Sequence, residues 1–213
     1  MEVDLCFVMD CTGSMASHIN AAKACILRIA AHMETFKPSV TIRFGFCGYR
    51  DHCDGVNRLQ IIPFTDSKVH FERELSTVSA MGGGDSPEDV LGGLNAAVNQ
   101  MSWRNNVRTA RIIYHIGDCP PHGTRYKNSN DSYPNGDPYG LTAESVLGGM
   151  KSKQICYFFG KITEQTNEMI NIFRGIIGEF PVYLLNTVNT EMLVNNIFDS
   201  TCSAIKTAVS LIE

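Results

Sequence analysis

The sequence has little charge, few cysteines for its length and no long apolar segment, and each shortage excludes a class of protein. Charged residues make up 19% of the 213 residues, with 18 basic against 22 acidic side chains and a net charge of −4. This balance argues against a nucleic-acid-binding module that works by net positive charge. No stretch approaches the ~20 apolar residues that a membrane-spanning helix needs. The first residues lack the basic start and apolar centre of a signal peptide.

Eight cysteines in 213 residues fall well below the roughly 8–10% of a disulfide-rich scaffold. Cys6, Cys25, Cys47 and Cys156 lie within apolar segments, where a free thiol behaves as a small hydrophobic side chain. We therefore expect a reducing, cytoplasmic setting. At 44% hydrophobic residues the chain can bury a sizeable core, and its length suits one α/β domain that spans residues 1–213.

Short β-branched and aromatic segments alternate with longer segments of helical periodicity. The predicted strands are residues 3–9, 40–49, 59–64, 110–116, 155–159 and 182–185; the predicted helices are residues 15–36, 69–80, 87–103, 142–153, 164–178 and 190–212. Nearly continuous hydrophobicity in several strands indicates a parallel sheet with helices on both faces. No helix is predicted between the second and third strands, where residues 50–56 form most of a short connection, and so short a connection joins antiparallel neighbours. The sequence predicts a doubly wound, Rossmann-like α/β domain with a mostly parallel six-stranded sheet and one antiparallel edge strand.

Residues 119–141 interrupt this alternation with four prolines, three glycines and no regular period. A loop of more than ~15 residues in a compact domain is usually functional or disordered. Because ligand sites of doubly wound sheets lie beyond the carboxyl ends of the strands, we expect this loop to border the site. Its tyrosines, Tyr126, Tyr133 and Tyr139, are candidates either for partner contacts or for packing onto the domain itself.

Oxygen-bearing side chains alternate where the first predicted strand gives way to a helix. They are Asp10, Thr12 and Ser14, and in a tight strand-to-helix turn they can converge on one point. Hard divalent cations prefer oxygen ligands, and Mg²⁺ keeps several waters while it takes few protein groups. The residues therefore indicate a divalent cation, with Mg²⁺ expected and Mn²⁺ or Ca²⁺ as alternatives.

The segment Asp-Cys-Thr-Gly-Ser-Met at residues 10–15 resembles the metal-ion-dependent adhesion site (MIDAS) of von Willebrand factor A domains. That family's pattern is Asp-x-Ser-x-Ser, then a threonine before a later helix, then an aspartate after the fourth strand. Thr12 and Ser14 stand for the two serines, and Asp118, which closes the predicted fourth strand, stands for the later aspartate. The resemblance covers nearly the whole chain and implies a metal-dependent protein-binding module rather than an enzyme.

One position departs from the family's pattern. In Gly-Gly-Gly-Asp-Ser-Pro-Glu, residues 82–88, Asp85 stands where the threonine is expected. A third carboxylate beside Asp10 and Asp118 would hold a metal firmly but make it a weaker electrophile towards an acidic partner side chain. A purely structural role is the alternative. Asp85 with Glu88 also matches a helix capping box, and Ser86 before a proline is an equally good N-cap.

Three further segments resemble the A domains that accompany atypical alpha-kinases. They are Gly-Gly-Asp-x-Pro-Glu at residues 83–88, Gly-Tyr-Arg-Asp at residues 48–51 and Asp-Cys-Pro-Pro-His-Gly at residues 118–123. No kinase signature occurs in the chain. The resemblance implies an intracellular interaction module of a larger protein, with a protein partner and no catalytic role of its own.

Two other interpretations stay open. Residues 10–14 also resemble the Asp-x-Thr-Gly-Thr motif of haloacid-dehalogenase-like phosphotransferases, in which Asp10 would be the nucleophile on Mg²⁺. That chemistry needs a lysine to steady the phosphoryl charge, and the predicted helix at residues 87–103 carries none. The other interpretation is a degenerate A domain that acts as a metal-independent scaffold.

Several side chains near the predicted site raise the question of zinc: Cys47, His52, Cys53, Cys119 and His122. Their spacing does not match a standard pair of zinc-ligand knuckles. We expect His122 to be a hydrogen-bonding residue of the loop, Asp51 to be an acceptor or turn former, and Arg50 to pair with a nearby carboxylate.

Overall fold

The structure, a computed structural model, describes residues 1–33, 35, 40–186 and 189–212. Its strands are β1 (Glu2–Asp10), β2 (Thr41–Tyr49), β3 (Leu59–Thr65), β4 (Thr109–Gly117), β5 (Ile155–Lys161) and β6 (Val182–Leu184). Its α-helices are α1 (Ala16–Met33), α2 (Lys68–Ser76), α3 (Val90–Asn99), α4 (Ala143–Ser152), α5 (Asn167–Ile177) and α6 (Thr190–Ser210). The helix predicted at residues 15–36 extends to positions 34 and 36, which lie outside the described residues.

The strands form one six-stranded sheet in the order β3-β2-β1-β4-β5-β6. Every neighbouring pair is parallel except β2 with β3, so the predicted antiparallel edge strand and the predicted fold class are confirmed. The connection between β2 and β3 is not free of helix, however. A 3₁₀ helix, His52–Asn57, follows Asp51, whose carboxylate accepts a hydrogen bond from the His52 amide at 2.6 Å.

Alternate side chains of β1 enter two hydrophobic cores, one on each face of the sheet. Leu5 and Phe7 join a core with residues of α1, α2 and α6, whereas Cys6 and Val8 join a core with residues of α3, α4 and α5. A central strand that is buried on both faces reads as a continuous apolar segment, as the sequence of β1 does. The metal ligands predicted at the end of β1 therefore follow the most deeply buried part of the sheet.

A buried ion-pair network fixes the amino-terminal half of β1. Asp4 is fully buried and accepts two hydrogen bonds from the Arg43 guanidinium, at 2.8 and 2.7 Å. Arg104 adds a side-chain contact at 3.0 Å and a backbone amide donor at 2.8 Å. A buried carboxylate is tolerated only when it is paired and hydrogen-bonded, and Asp4 meets both conditions. The network joins β1, β2 and the segment that follows α3 at the edge opposite the site.

Helix α3 begins later than the sequence pattern suggests. Its N-cap is Asp89, whose carboxylate accepts a hydrogen bond from the Gly92 amide at 2.9 Å. Neither the Asp85–Glu88 capping box nor the Ser86 cap is formed, so both capping interpretations are wrong. Ser86 instead donates its hydroxyl hydrogen to Gln165 at 2.6 Å. Residues 82–88 are consequently free of helix, and the Gly82 carbonyl accepts a hydrogen bond from the Gly13 amide, in the turn after β1, at 3.3 Å.

Candidate metal centre

The turn after β1 is organised by Asp10. This side chain is fully buried, and its Oδ1 accepts hydrogen bonds from the Thr12 amide at 2.8 Å and from the Thr12 hydroxyl at 2.6 Å. An aspartate that bonds the backbone two residues ahead is a standard turn former. The turn leads into a 3₁₀ helix at Gly13–Met15, which precedes α1 and carries Ser14. Asp10, Thr12 and Ser14 therefore stand on one tight bend.

Asp118 reaches the same bend from the neighbouring strand. Because β1 and β4 are parallel neighbours, their carboxyl ends lie at the same edge of the sheet. The Ser14 hydroxyl donates to Asp118 Oδ2 at 2.6 Å, and the Thr12 and Ser14 hydroxyl oxygens are 3.4 Å apart. Consecutive contacts thus link four of the five residues that the sequence predicted as metal ligands. Their role as ligands stays a prediction.

Two carboxylate oxygens in this group are buried without a hydrogen-bond partner among the described residues. They are Asp10 Oδ2 and Asp118 Oδ1. Burial, followed by the charge of Asp118, raises the pKa of Asp10 from 3.8 to about 8. Buried charges in proteins are normally paired or coordinate a metal. The donor set, which consists of carboxylate and hydroxyl oxygens, fits a hard divalent cation.

Glu88 is a further carboxylate of this group that the sequence interpretation treated only as a capping residue. Its side chain is buried, and its Oε2 has no partner among the described residues. Burial and the charges of Asp10, Asp51 and Asp118 raise the pKa of Glu88 from 4.5 to about 10. A Cβ added to Gly83 would meet Glu88 Oε1 at 3.2 Å and Thr12 at 3.3 Å, so Glu88 lies next to the turn. The sequence signal for Glu88 was its position shortly after three consecutive glycines, in the segment predicted to border the site.

Asp85, the fifth predicted ligand, has different neighbours. Its Oδ2 accepts a hydrogen bond from the Ser132 amide at 2.5 Å, and its Oδ1 is buried without a partner in the described part of the chain. Ligand atoms of Asp85, Asp51 and His122 lie within 4.8 Å of one another. None of the hydrogen bonds seen among the described residues joins Asp85 to Asp10 or Asp118. Asp85 anchors the long loop, and its part in a metal site is still a prediction.

The sequence profile of the von Willebrand factor A domain family matches residues 4–130, which is more than half of the chain. The chain belongs to the von Willebrand factor A domain family. This is a family of protein-interaction modules. The family assignment favours the A-domain interpretation of residues 10–14 over the phosphotransferase interpretation, because the match runs from β1 past Asp118.

Two curated relatives resemble this A domain. Alpha-protein kinase vwkA of Dictyostelium discoideum is 40% identical over 172 residues, which are 80% of this chain and 27% of that protein. An ariadne-like RING finger protein of Acanthamoeba polyphaga mimivirus is 30% identical over 133 residues, which are 62% of this chain and 12% of that protein. The chain therefore spans about a quarter or less of the length of these relatives.

Among solved structures, proximal thread matrix protein 1 from the mussel byssus has a similar fold. The TM-score is 0.61 at 13% sequence identity, over 94% of this chain and 46% of that one. At that identity the similarity concerns the fold alone. In the part of the A domain that the structure describes, no helix is long and apolar enough to cross a membrane.

The loop at residues 119–141 borders the candidate site, as expected, and contacts inside the domain hold it in place. His122 bonds to Asp51 at 2.9 Å and to Asp131 at 2.7 Å. Burial by itself would lower the pKa of His122, but the hydrogen bonds to these two carboxylates raise it. Asp131 also accepts from the amides of Gly123 and Tyr133, at 2.7 and 2.8 Å. His122 is thus the hydrogen-bonding loop residue that the sequence suggested.

Two of the three loop tyrosines pack onto the domain, and the third is exposed. Tyr126 is buried in the core on the α3 side, and the Tyr133 ring packs edge-on against His52 and His122. Tyr139 is 67% exposed, with its ring under the Arg58 guanidinium. Two of the three therefore pack onto the domain, and only Tyr139 presents a large free surface.

One expectation about an individual side chain is corrected by the structure. Arg50 is buried and donates to the carbonyls of Asn57 and Ser79, at 2.6 and 2.9 Å, rather than to a carboxylate. The cysteines do not gather with histidines into a zinc site among the described residues. Cys47, for example, lies against Cys6 in the core, and its sulfur is 4.0 Å from that of Cys6. All eight cysteines are free thiols.

Proposed function

We propose that this A domain binds a partner protein through a divalent cation, Mg²⁺ in the first instance, held at the carboxyl ends of β1 and β4. One observation carries the proposal. Buried oxygens of Asp10 and Asp118 have no partner in the described residues, and they lie beside the hydroxyls of Thr12 and Ser14. A dication offsets the charge of such carboxylates, which burial otherwise makes costly.

Asp10, Thr12, Ser14 and Asp118 would hold the ion, directly or through water. When bound, the ion supplies an electrophilic point for an oxygen atom of the partner. Ser14 is exposed, whereas Asp10 and Thr12 are buried, so the site opens to solvent on the Ser14 side. Glu88 adds a nearby carboxylate, and Asp85 stays a predicted contributor of charge. Oxygen donors with no thiolate or imidazole among them favour Mg²⁺, Mn²⁺ or Ca²⁺ over softer metals.

The loop at residues 119–141 would shape the choice of partner. Its Pro120 carbonyl accepts a hydrogen bond at 3.1 Å from the amide of Glu88, which lies beside the turn, and contacts with Asp85 and Asp51 hold the loop further on. Its exposed tyrosine, Tyr139, offers an aromatic contact of the kind that is enriched at protein interfaces. Since the loop is fixed by hydrogen bonds at several points, it would meet a partner with little loss of conformational entropy.

We further propose that the whole of residues 1–213 acts as one A domain inside a larger intracellular protein. The single sheet that includes β6, and the core shared by α1 and α6, support one domain. The eight free thiols support a reducing compartment. The curated relatives are several times longer than this chain, which supports a larger parent protein.

Affinity capture with and without EDTA tests the proposal, with wild-type chain and Ser14→Ala as baits in parallel. We expect the same partner to be retained in Mg²⁺ by wild type and to be lost in EDTA and with Ser14→Ala. Ser17→Ala, an exposed serine one helical turn further on, is the matched control and should retain the partner. If the partner is captured equally well in EDTA and by the Ser14→Ala bait, the metal-independent scaffold is favoured.

The phosphotransferase interpretation has its own decisive assay. We expect no turnover of p-nitrophenyl phosphate in Mg²⁺. Turnover that disappears in Asp10→Asn would instead identify Asp10 as a nucleophile and overturn the binding-module proposal. Asp10→Asn keeps the hydrogen-bond acceptor for Thr12, so a loss would not stem simply from an opened turn.

A further inference from the structure

A second group of potential metal ligands lies beside the candidate site and shares no residue with it. His52 comes from the 3₁₀ helix after β2, Asp89 is the N-cap of α3, and Asp137 belongs to the long loop. The side chains of His52, Asp89 and Asp137 are only 3%, 0% and 3% exposed. Three segments that are distant in sequence thus each contribute one buried ligand-type side chain to a single point.

The spacing of these groups is that of metal ligands rather than of hydrogen-bond partners. His52 Nε2 lies 3.4 Å from Asp137 Oδ2 and 3.6 Å from Asp89 Oδ1, and one ligand atom of each residue falls within 4.8 Å of the others. Ligand atoms about 2.0–2.2 Å from a tetrahedral Zn²⁺ are about 3.3–3.6 Å apart. By contrast, His122 Nε2 is 2.9 Å from Asp51, which is hydrogen-bond distance.

Two of the atoms in this group are buried without a hydrogen-bond partner among the described residues. They are Asp137 Oδ2, which points towards His52 Nε2, and His52 Nδ1. An ion bound directly at about 2 Å would satisfy the Asp137 carboxylate oxygen.

The charges also suit a dication. The Arg58 guanidinium contacts Oδ2 of Asp89, while Asp89 Oδ1 faces His52 and also accepts the hydrogen bond of the Gly92 amide. Burial, before any other effect, lowers the pKa of His52, which favours the neutral imidazole that binds metals. A neutral imidazole between two carboxylates leaves negative charge for an ion to offset.

We propose that His52, Asp89 and Asp137 bind a Zn²⁺ ion, or a similar dication that accepts nitrogen and oxygen ligands, with Arg58 orienting Asp89 from behind. One imidazole with two carboxylates is a donor set that zinc accepts and that Mg²⁺ seldom uses. The ion ties the long loop to the start of α3 and to the β2–β3 connection. This site is independent of the Mg²⁺ site proposed above.

Titration of chelator-stripped chain with Co²⁺ and then Zn²⁺ tests this proposal. We expect one Co²⁺ per chain, with the visible absorption of a four- or five-coordinate nitrogen–oxygen site, displaced by one equivalent of Zn²⁺. Loss of a direct ligand in His52→Gln or Asp137→Asn should weaken Zn²⁺ affinity at least about 100-fold, since even residues behind the ligands contribute 10–100-fold. Far-UV circular dichroism verifies that each variant folds.

Two control variants separate this site from its neighbours. Asp51→Asn alters the adjacent Asp51–Asp85–His122 group and Ser14→Ala alters the candidate Mg²⁺ site, and both should keep the Co²⁺ spectrum. Wild-type chain that gives no Co²⁺ absorption and no Zn²⁺-induced rise in melting temperature would overturn the proposal. So would an ion that is kept in His52→Gln but lost in Asp51→Asn. Because the wild-type spectrum needs no variant, unfolding of a variant does not block the test.

Discussion

The Ser14 hydroxyl donates a hydrogen bond of 2.6 Å to Asp118 Oδ2 and so joins the turn after β1 to the end of β4 across 104 residues of sequence. This contact links the two halves of the candidate metal centre. It leaves Asp118 Oδ1 buried and without a partner among the described residues.

Ser14→Ala should abolish most of the stabilisation that Mg²⁺ confers. At a hundredfold excess over Kd, a ligand that binds only the folded state stabilises it by about 2.7 kcal/mol. For a chain of this size that corresponds to a rise in Tm on the order of 5–10 °C. Differential scanning fluorimetry with and without Mg²⁺ measures the rise. Ser17→Ala should keep it in full, and equal rises in both variants would contradict a ligand role for Ser14.

The stability of the metal-free chain should fall as the pH rises from 5.5 to 8. Asp10 has a folded-state pKa of about 8 against 3.8, and Glu88 about 10 against 4.5. Between the unfolded and folded pKa values of each group, the folded state holds more protons than the unfolded state. The free energy of unfolding therefore decreases as the pH rises through these ranges. A bound dication offsets the ionised carboxylates, and the rise in Tm on adding Mg²⁺ should therefore be larger at pH 8.

Melting curves in EDTA at several pH values, repeated with Asp10→Asn, check this expectation. The variant lacks the titration of Asp10, so its melting temperature should fall less steeply with rising pH than that of the wild-type chain. A metal-free chain that is more stable at pH 8 than at pH 5.5 would mean that the raised pKa values of Asp10 and Glu88 do not govern its acid–base behaviour.

Asp4→Ala should destabilise the fold by about 3–5 kcal/mol. The substitution leaves the guanidinium groups of Arg43 and Arg104 beside the core without the buried carboxylate that both contact. Breaking one side of a buried ion pair typically has a cost of this size. Glu74→Ala is the surface control, since its contact with Arg73 is largely exposed and should contribute at most about 1 kcal/mol. Urea unfolding of both variants gives the comparison.

Asp131→Ala should loosen the long loop without unfolding the sheet. The change removes the acceptor for the amides of Gly123 and Tyr133 and for His122. Hydrogen–deuterium exchange should speed up across residues 119–141 and stay unchanged in β1 and β4. Glu144→Ala, which breaks only an exposed pair with Arg125, is the control. If residues 119–141 exchange no faster in Asp131→Ala than in Glu144→Ala, contacts other than those of Asp131 hold the loop.

The same loop should also respond to pH in a defined direction. The pKa of His122 is raised in the folded chain, so its contribution is complete below the unfolded value of about 6.5 and is lost as pH rises through the folded value. The pKa values of Asp51 and Asp131 are lowered, so their contribution is lost only in acid. Protection of the loop should therefore be highest between about pH 4.5 and 6.5.

Much of the fold could be predicted from local pattern. Strands buried on both faces, separated by helical segments, predict a parallel sheet, and the short connection after β2 forces β3 to run antiparallel. Helix ends were predicted less well. The structure begins α3 at Val90 rather than at residue 87, because Asp89 takes the cap that Asp85 or Ser86 could have taken. Several adjacent residues can cap one helix, and only the packing around them selects which does.

The sequence alone determined the alternation of strands and helices, the antiparallel edge, and the tight spacing of Asp10, Thr12 and Ser14, because these follow from local periodicity and from a turn of a few residues. Only the tertiary structure decided that Glu88 lies by the turn, that Asp85 anchors the loop, and that His52 faces Asp89 and Asp137. Those outcomes depend on where distant segments meet and on which charges burial leaves without a partner, and no local pattern encodes either.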